Sequence, residues 1–318
     1  LNYLSFSGIY FSYSAITAFS TFIAIMFRVG EILKMEEYNE EAAQDDESLP
    51  ENVRVKLENW SFSWDLIPQY SENHLNTENL DRRVGTENQI TNNKENIILK
   101  NINIQLCSGE LLAIVGAIGS GKSTLLSGIM HELEASTGKV RTNGEMAYVE
   151  QDPFVTSGTI RDNITMGSLF NQQKFNKALE VCCLTQDIMR LPRGPDTEIG
   201  ERGVTVSGGQ KARISLARAV YADADIYLLD DPLSAVDPEV ANQLFKKCIN
   251  GYLRNKCRIL VTHQVQYLKK VENIWFLEKG TIKLQGSYRY LSEKGMDFDS
   301  VLKAHGSPRK NEESKHKH

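Results

Sequence analysis

Residues 1–27 run without a charge, and Arg28 is the first charged residue. As a helix, 27 residues at about 1.5 Å each cover about 40 Å, more than the roughly 30 Å hydrocarbon core of a bilayer. The stretch also carries Ser5, Ser7, Ser12, Ser14, Thr17, Ser20 and Thr21. Such hydroxyls suit a membrane helix that partly lines a protein or water-filled cavity. A secretory signal fits less well, because no basic region precedes the run. A buried amphipathic helix of a soluble protein is the plainer alternative. The helical period continues through Val29, Ile32, Leu33 and Met35. The expectation is the end of a transmembrane domain over residues 1–35, in contact with membrane lipid through residues 1–27.

The pattern then changes. Residues 36–51 hold many acidic side chains and no basic one, the composition of a solvated linker. Alternation at Val53, Val55 and Leu57, and again at Phe62 and Trp64, predicts strand. Asn and Glu dominate from 65 to 96, so residues 66–95 read as a disordered insertion. From Ile97 to about His305, strand and helix patterns alternate, which predicts an α/β domain over residues 52–305 with a largely parallel sheet. Residues 306–318 read as the start of another linker or tail.

Charge changes the picture little. The net charge is −5 from 36 basic and 41 acidic residues, and no basic stretch marks a nucleic-acid footprint. Five cysteines (Cys107, Cys182, Cys183, Cys248 and Cys257) form no paired framework. They read as packing thiols of a reducing cytosol.

The chemistry is concentrated in short segments. Gly116-Ala-Ile-Gly119-Ser120-Gly121-Lys122-Ser123-Thr124 follows a predicted strand at 111–115 and opens a predicted helix at 123–130. That is the phosphate-binding loop in its required strand–loop–helix setting. Its glycines let backbone amides face phosphate oxygens, and the helix N-terminus adds favourable partial charge. Lys122 is placed to reach the β- and γ-phosphates, and Ser123 to hold Mg²⁺. The apolar strand Ile226-Tyr-Leu-Leu-Asp230 ends in a carboxylate suited to the same ion. Together these define a nucleotide-hydrolysing class and no more. Trp64 is the candidate adenine platform because an indole face stacks on a base, with Trp60 as its rival.

Val206-Ser207-Gly208-Gly209-Gln210-Lys-Ala-Arg213 narrows the reading. With Gln151 before it, Ser234-Ala-Val-Asp237 after the Walker B strand, and His263 after a strand at 258–262, the chain resembles the ATP-binding cassette (ABC) family. The run Tyr227-Leu-Leu-Asp-Asp-Pro-Leu-Ser-Ala-Val-Asp237 is most similar to first cassettes of the multidrug resistance-associated branch, subfamily C. The resemblance implies a P-loop cassette with a mainly parallel core, an antiparallel β subdomain and a helical signature subdomain. It implies a cytoplasmic cassette of a multi-pass membrane exporter, with ATP and Mg²⁺ as cofactors. Partners would be the transmembrane domains and a second cassette, so that two cassettes sandwich two nucleotides head to tail. Ser207, Gly208, Gly209 and Gln210 would then face the ATP of the opposite cassette. Gln151 is implied to contact Mg²⁺ and the attacking water, and His263 the γ-phosphate.

One position departs from the family pattern. Hydrolysing cassettes mostly carry Glu after the Walker B Asp; here it is Asp231, one methylene shorter. The resemblance implies that the site built on Lys122 and Asp230 is the weak one of a pair. Two alternatives remain: a soluble ABC ATPase of DNA maintenance or translation, and an ATP-gated channel cassette. The membrane run and the absence of heptads between Gln151 and the signature weigh against the first. The acidic Asp231 weighs against the second.

Overall fold

The computed structural model describes residues 2–33, 49–63, 97–133, 135–200, 206–296 and 298. Its chain divides into two units, Leu1–Asp46 and Glu47–His318. The expectations for most of the acidic linker, for Trp64 and the 66–95 insertion, and for the tail lie outside the described residues.

The described part of the first unit is one helix, α1 (Asn2–Leu33), whose segment Tyr13–Gly30 is long and apolar enough to cross a membrane. Two of its hydroxyls are satisfied within the helix. Thr17 Oγ1 donates to the carbonyls of Tyr13 (3.1 Å) and Ser14 (2.9 Å), and Thr21 Oγ1 donates to that of Thr17 (2.8 Å). A threonine bonded back to its own helix needs no outside partner in an apolar medium. These two residues therefore give no reason to place a water-filled cavity beside the helix.

The second unit stacks two sheets around a helix. Strands β1 (Val53–Ser63), β2 (Ile97–Cys107), β3 (Leu111–Gly116), β4 (Thr137–Thr142) and β5 (Met146–Val149) alternate with α2 (Lys122–Ile129). A short ribbon of β6 (Gly158–Thr159) and β7 (Glu198–Ile199) frames the helices α3 (Ile160–Thr165), α4 (Gln172–Val181) and α5 (Thr185–Met189). Then come α6 (Gly208–Ala222), β8 (Ile226–Asp230), α7 (Pro238–Leu244) and β9 (Cys257–Val261). Last are α8 (Val265–Leu268), β10 (Asn273–Glu278), β11 (Thr281–Gly286) and α9 (Tyr288–Glu293). The six-stranded sheet has the order β11-β10-β3-β9-β8-β5. All its pairs are parallel except the β10–β11 hairpin. The other sheet, β2-β1-β4, is antiparallel.

Period-two burial explains the layers. Leu112 and Ile114 of β3, with Ile226 and Leu228 of β8, pack with α2 and the antiparallel sheet. Their neighbours Ala113, Val115, Tyr227 and Leu229 pack against the opposite, helical layer. A parallel strand covered on both faces is apolar at every position, which is why these segments read as unbroken apolar runs. Trp60 lies fully buried between the antiparallel sheet and α2. Its ring occupies the space that a Cβ on Gly128 would need. It is a core residue and offers no face to a base, so the rival platform is excluded.

Candidate nucleotide site

The phosphate loop is shaped by two glycines for two different reasons. At Gly116 a Cβ would run into the carbonyl of Leu277 on β10 and stand 2.8 Å from Ser120 Oγ, so close approach excludes any side chain. At Gly121, the N-cap of α2, φ is 100°, a left-handed conformation that glycine adopts without strain. The turn aims the first amides of α2, which lack intrahelical partners, into the loop. Gly119 is also left-handed, with φ 77°.

Side chains converge on that loop. Lys122 is buried, and its Nζ donates to the carbonyls of Gly116 (2.9 Å) and Ala117 (2.8 Å). Burial pulls its pKa down, and the charges of Asp230 and Asp231 oppose that shift. Ser123 Oγ donates to Asp230 Oδ2 at 2.7 Å, a contact between residues 107 positions apart. Ser120 Oγ is buried without a hydrogen-bond partner. Ser123 is exposed and Thr124, which follows it on α2, is half-buried.

Asp231 lies buried beside Asp230 at the end of β8. Burial, and then the Asp230 charge, raise its carboxyl to about 6; the His263 backbone N–H, Lys122 and the Thr262 side chain act the other way. Its Oδ1 has no hydrogen-bond partner. Its backbone is left-handed, with φ 46°, and is pinned by its own N–H donating to Val261 O (3.0 Å) and by Ser234 Oγ donating to its carbonyl (2.8 Å). His263 is half-buried in the turn after β9.

The signature turn sits at the head of α6. Ser207 is its N-cap: its hydroxyl accepts from the Gln210 amide (3.2 Å), and Gln210 Oε1 accepts from the Ser207 amide (2.9 Å). Such a reciprocal cap is worth about 1 kcal/mol. Gly208 is exposed, with open space where a Cβ would stand, while Gly209 packs near the carbonyl of Ala235. Gln151, Asp152, Pro153, Gly208, Lys211, Ser234 and Ala235 line one open groove. The fold thus brings Gln151, the signature turn and the segment after Asp231 onto one face. The other end of α6 is tied down as well. Arg218 donates to the carbonyls of Asn163 (2.8 Å) and Phe154 (3.3 Å). The Tyr221 hydroxyl donates to Leu169 O (2.7 Å) and accepts from the Asn171 amide (2.8 Å).

Three participants escape a motif reading. Tyr148 on β5 has its phenol against Asp230 and is pushed up to about 12, first by burial and then by that charge. Thr262 bonds the Asp231 carboxylate. Asp187 on α5 accepts from both Gln210 and Arg213. None of the three carries a signal in a single sequence.

The oxygen donors Ser123 and Asp230 suit a hard cation such as Mg²⁺. Among the described residues no group of three or more His, Cys, Asp or Glu side chains is placed to hold a metal. A parallel sheet, a glycine loop leading into a helix, and a Lys–Ser–Asp cluster at the carboxyl ends of the strands define a P-loop nucleotide-binding domain.

Comparison with known proteins fixes the branch. Residues 99–234 match the family model described as ABC transporter. ABC transporter C family member 2 of Dictyostelium discoideum is 44% identical over 233 residues, 70% of this chain and 17% of that protein. ATP-binding cassette sub-family C member 4 of Homo sapiens is 50% identical over 205 residues, 64% of this chain and 16% of the relative. ABC transporter C family member 9 of Arabidopsis thaliana is 37% identical over 278 residues, 87% and 17%. The chain belongs to the ABC transporter family, in its subfamily C branch, and spans under a fifth of the length of these relatives. Cassettes of this family are ATPases that bind ATP, generally with Mg²⁺.

Proposed function

We propose that this chain is the first nucleotide-binding cassette of an ABC exporter, binding and hydrolysing ATP to drive a substrate across a membrane. The observation that carries the reading is the convergence of buried Lys122, Asp230 and Asp231 with the exposed Ser123 at one loop, with the signature turn open on the same domain. Residues 52–305 form the cassette on the cytoplasmic side, and α1 ends a transmembrane domain whose apolar residues face lipid. The partners are that membrane domain and a second cassette; no nucleic acid is involved.

Each residue has a role in this scheme. Lys122 leaves its loop carbonyls for the β- and γ-phosphates, and amides from Gly116, Gly119, Ser120, Gly121 and Thr124 cradle the remaining oxygens. Ser123, Asp230 and Gln151 would hold Mg²⁺, which when bound supplies charge neutralisation at the phosphates. Trp64 stacks on adenine. Asp231 takes a proton from the attacking water, which Gln151 would also contact, and His263 donates to the γ-phosphate. Because Asp231 falls one methylene short of Glu, this is the slow site, and a displacement near 1 Å costs on the order of 10²-fold. Ser207, Gly208 and Gly209 complete the faster site on the partner cassette.

The test is nucleotide titration on the chain. Lys122→Ala is expected to lose most affinity for ATP–Mg²⁺; unchanged affinity would overturn the site. Transport assays in membranes containing the full protein test the coupling to substrate movement.

A further inference from the structure

We propose that Asp187 is a positioning residue for the signature turn, acting through the side chain of Gln210. The inference rests on the head-to-tail reading given above and extends it to a residue outside any motif.

The geometry has three steps. Gln210 must offer its amide oxygen to the Ser207 backbone N–H to close the cap, and it does so at 2.9 Å. A side-chain amide has one accepting end and one donating end, and turning it over would bring N–H against N–H. Asp187 Oδ1 accepts from Gln210 Nε2 at 3.0 Å. An ionised carboxylate accepts only, so it selects the orientation that closes the cap. Asp187 is itself fixed. Arg213 Nη1 donates to its Oδ2 at 2.7 Å, and Nη2 reaches Oδ1 at 3.5 Å. The same guanidinium donates from Nη1 to Cys183 O (2.7 Å) and from Nε to Gly209 O (3.2 Å), inside the turn. With its side chain only 12% exposed, Arg213 is held on every side. A carboxylate on α5 thus holds the cap that sets the position of Ser207 and the direction in which Gly208 presents its amide.

A residue that merely stabilised the fold would lower the folding midpoint and leave turnover by the folded enzyme unchanged. A positioning residue changes kcat at the partner site, where the turn acts. The experiment uses the full transporter, with Lys122→Ala silencing this chain's own site. Asp187→Asn is expected to lower kcat for ATP at the partner site by about 10-fold or more, in line with the cost of small misplacements, and to leave KM within about twofold. Asp187→Glu should restore part of the rate. The double variant Asp187→Asn/Gln210→Ala should be no slower than Gln210→Ala alone, and amide exchange at Ser207 should accelerate in Asp187→Asn. Additive losses, or a rate loss that Asp187→Glu does not recover and that tracks the folding midpoint, would overturn the proposal. So would a wild-type kcat in Asp187→Asn while Gly208→Asp abolishes turnover. If Gly208→Asp itself leaves turnover intact, it is the head-to-tail reading that fails, and unchanged Ser207 exchange then also removes the role of Asp187.

Discussion

Replacing Gly208 by Asp separates the folding role of the signature turn from its action on a partner's nucleotide. Nothing lies within 4 Å of a Cβ built at Gly208, and the residue is exposed. The Cβ of the new side chain therefore meets no atom of its own cassette, and its carboxylate enters the open groove beside Gly208. Gly208 is the first residue of α6, where an acidic group is favoured by the helix dipole by about 0.3–1 kcal/mol. Folding stability should hold or rise slightly. Across the interface the sign reverses: a carboxylate about 4 Å from a phosphate oxygen is repelled by about 4 kcal/mol per pair of unit charges at an effective dielectric near 20. That corresponds to about 10³-fold in rate. The assay is phosphate release from the full transporter, with Lys122→Ala silencing the other site. Thermal unfolding of the isolated chain is measured in parallel. A partner-site rate within about threefold of the parent, from a protein that folds normally, would refute the reasoning.

Other outcomes follow from particular contacts. Asp231→Glu should raise hydrolysis at the Lys122 site by restoring reach to the water. It should also cost up to about 1 kcal/mol in a denaturant titration, because Glu tolerates the left-handed backbone less well than Asp. An unchanged rate would show that something other than the missing methylene limits that site. Trp64→Ala should weaken nucleotide binding by about 1–3 kcal/mol, as loss of base stacking does, read by fluorescent-nucleotide titration. Trp60→Ala should instead destabilise the fold by about 3–5 kcal/mol. Gly128→Ala, which drives a methyl into the Trp60 ring, should lower stability by about 1–3 kcal/mol with nucleotide affinity retained.

The parts of the fold that were legible are those in which a physical constraint leaves a local trace. β3 and β8 are buried on both faces, so their apolar runs announced them. The loop at 116–121 needed residues without side chains where chain approaches chain, and that need is written as glycine. The Asp187–Arg213 pair left no such trace, since it joins elements 26 residues apart through ordinary charged residues. The sequence put Trp64 ahead of Trp60 as the platform but could not show where Trp60 goes. That depends on Gly128, on another element, whose missing Cβ makes room for the Trp60 indole. α7 continues into a π-helical stretch, Phe245–Tyr252, whose wider turn no periodicity of 3.6 anticipates.

Helix α6 is a lever with both ends fastened. Its 15 residues make a rod of about 22 Å at about 1.5 Å per residue. One end is the signature turn; the other is bolted by Arg218 and Tyr221 to the backbone at 154, 163, 169 and 171. Phe154 lies three residues after Gln151, and Leu169 is 96% exposed. A push on that outer surface is carried to α6 through these hydrogen bonds. A rotation of the rod by about 3° displaces its far end by about 1 Å, the scale on which catalytic alignment is won or lost.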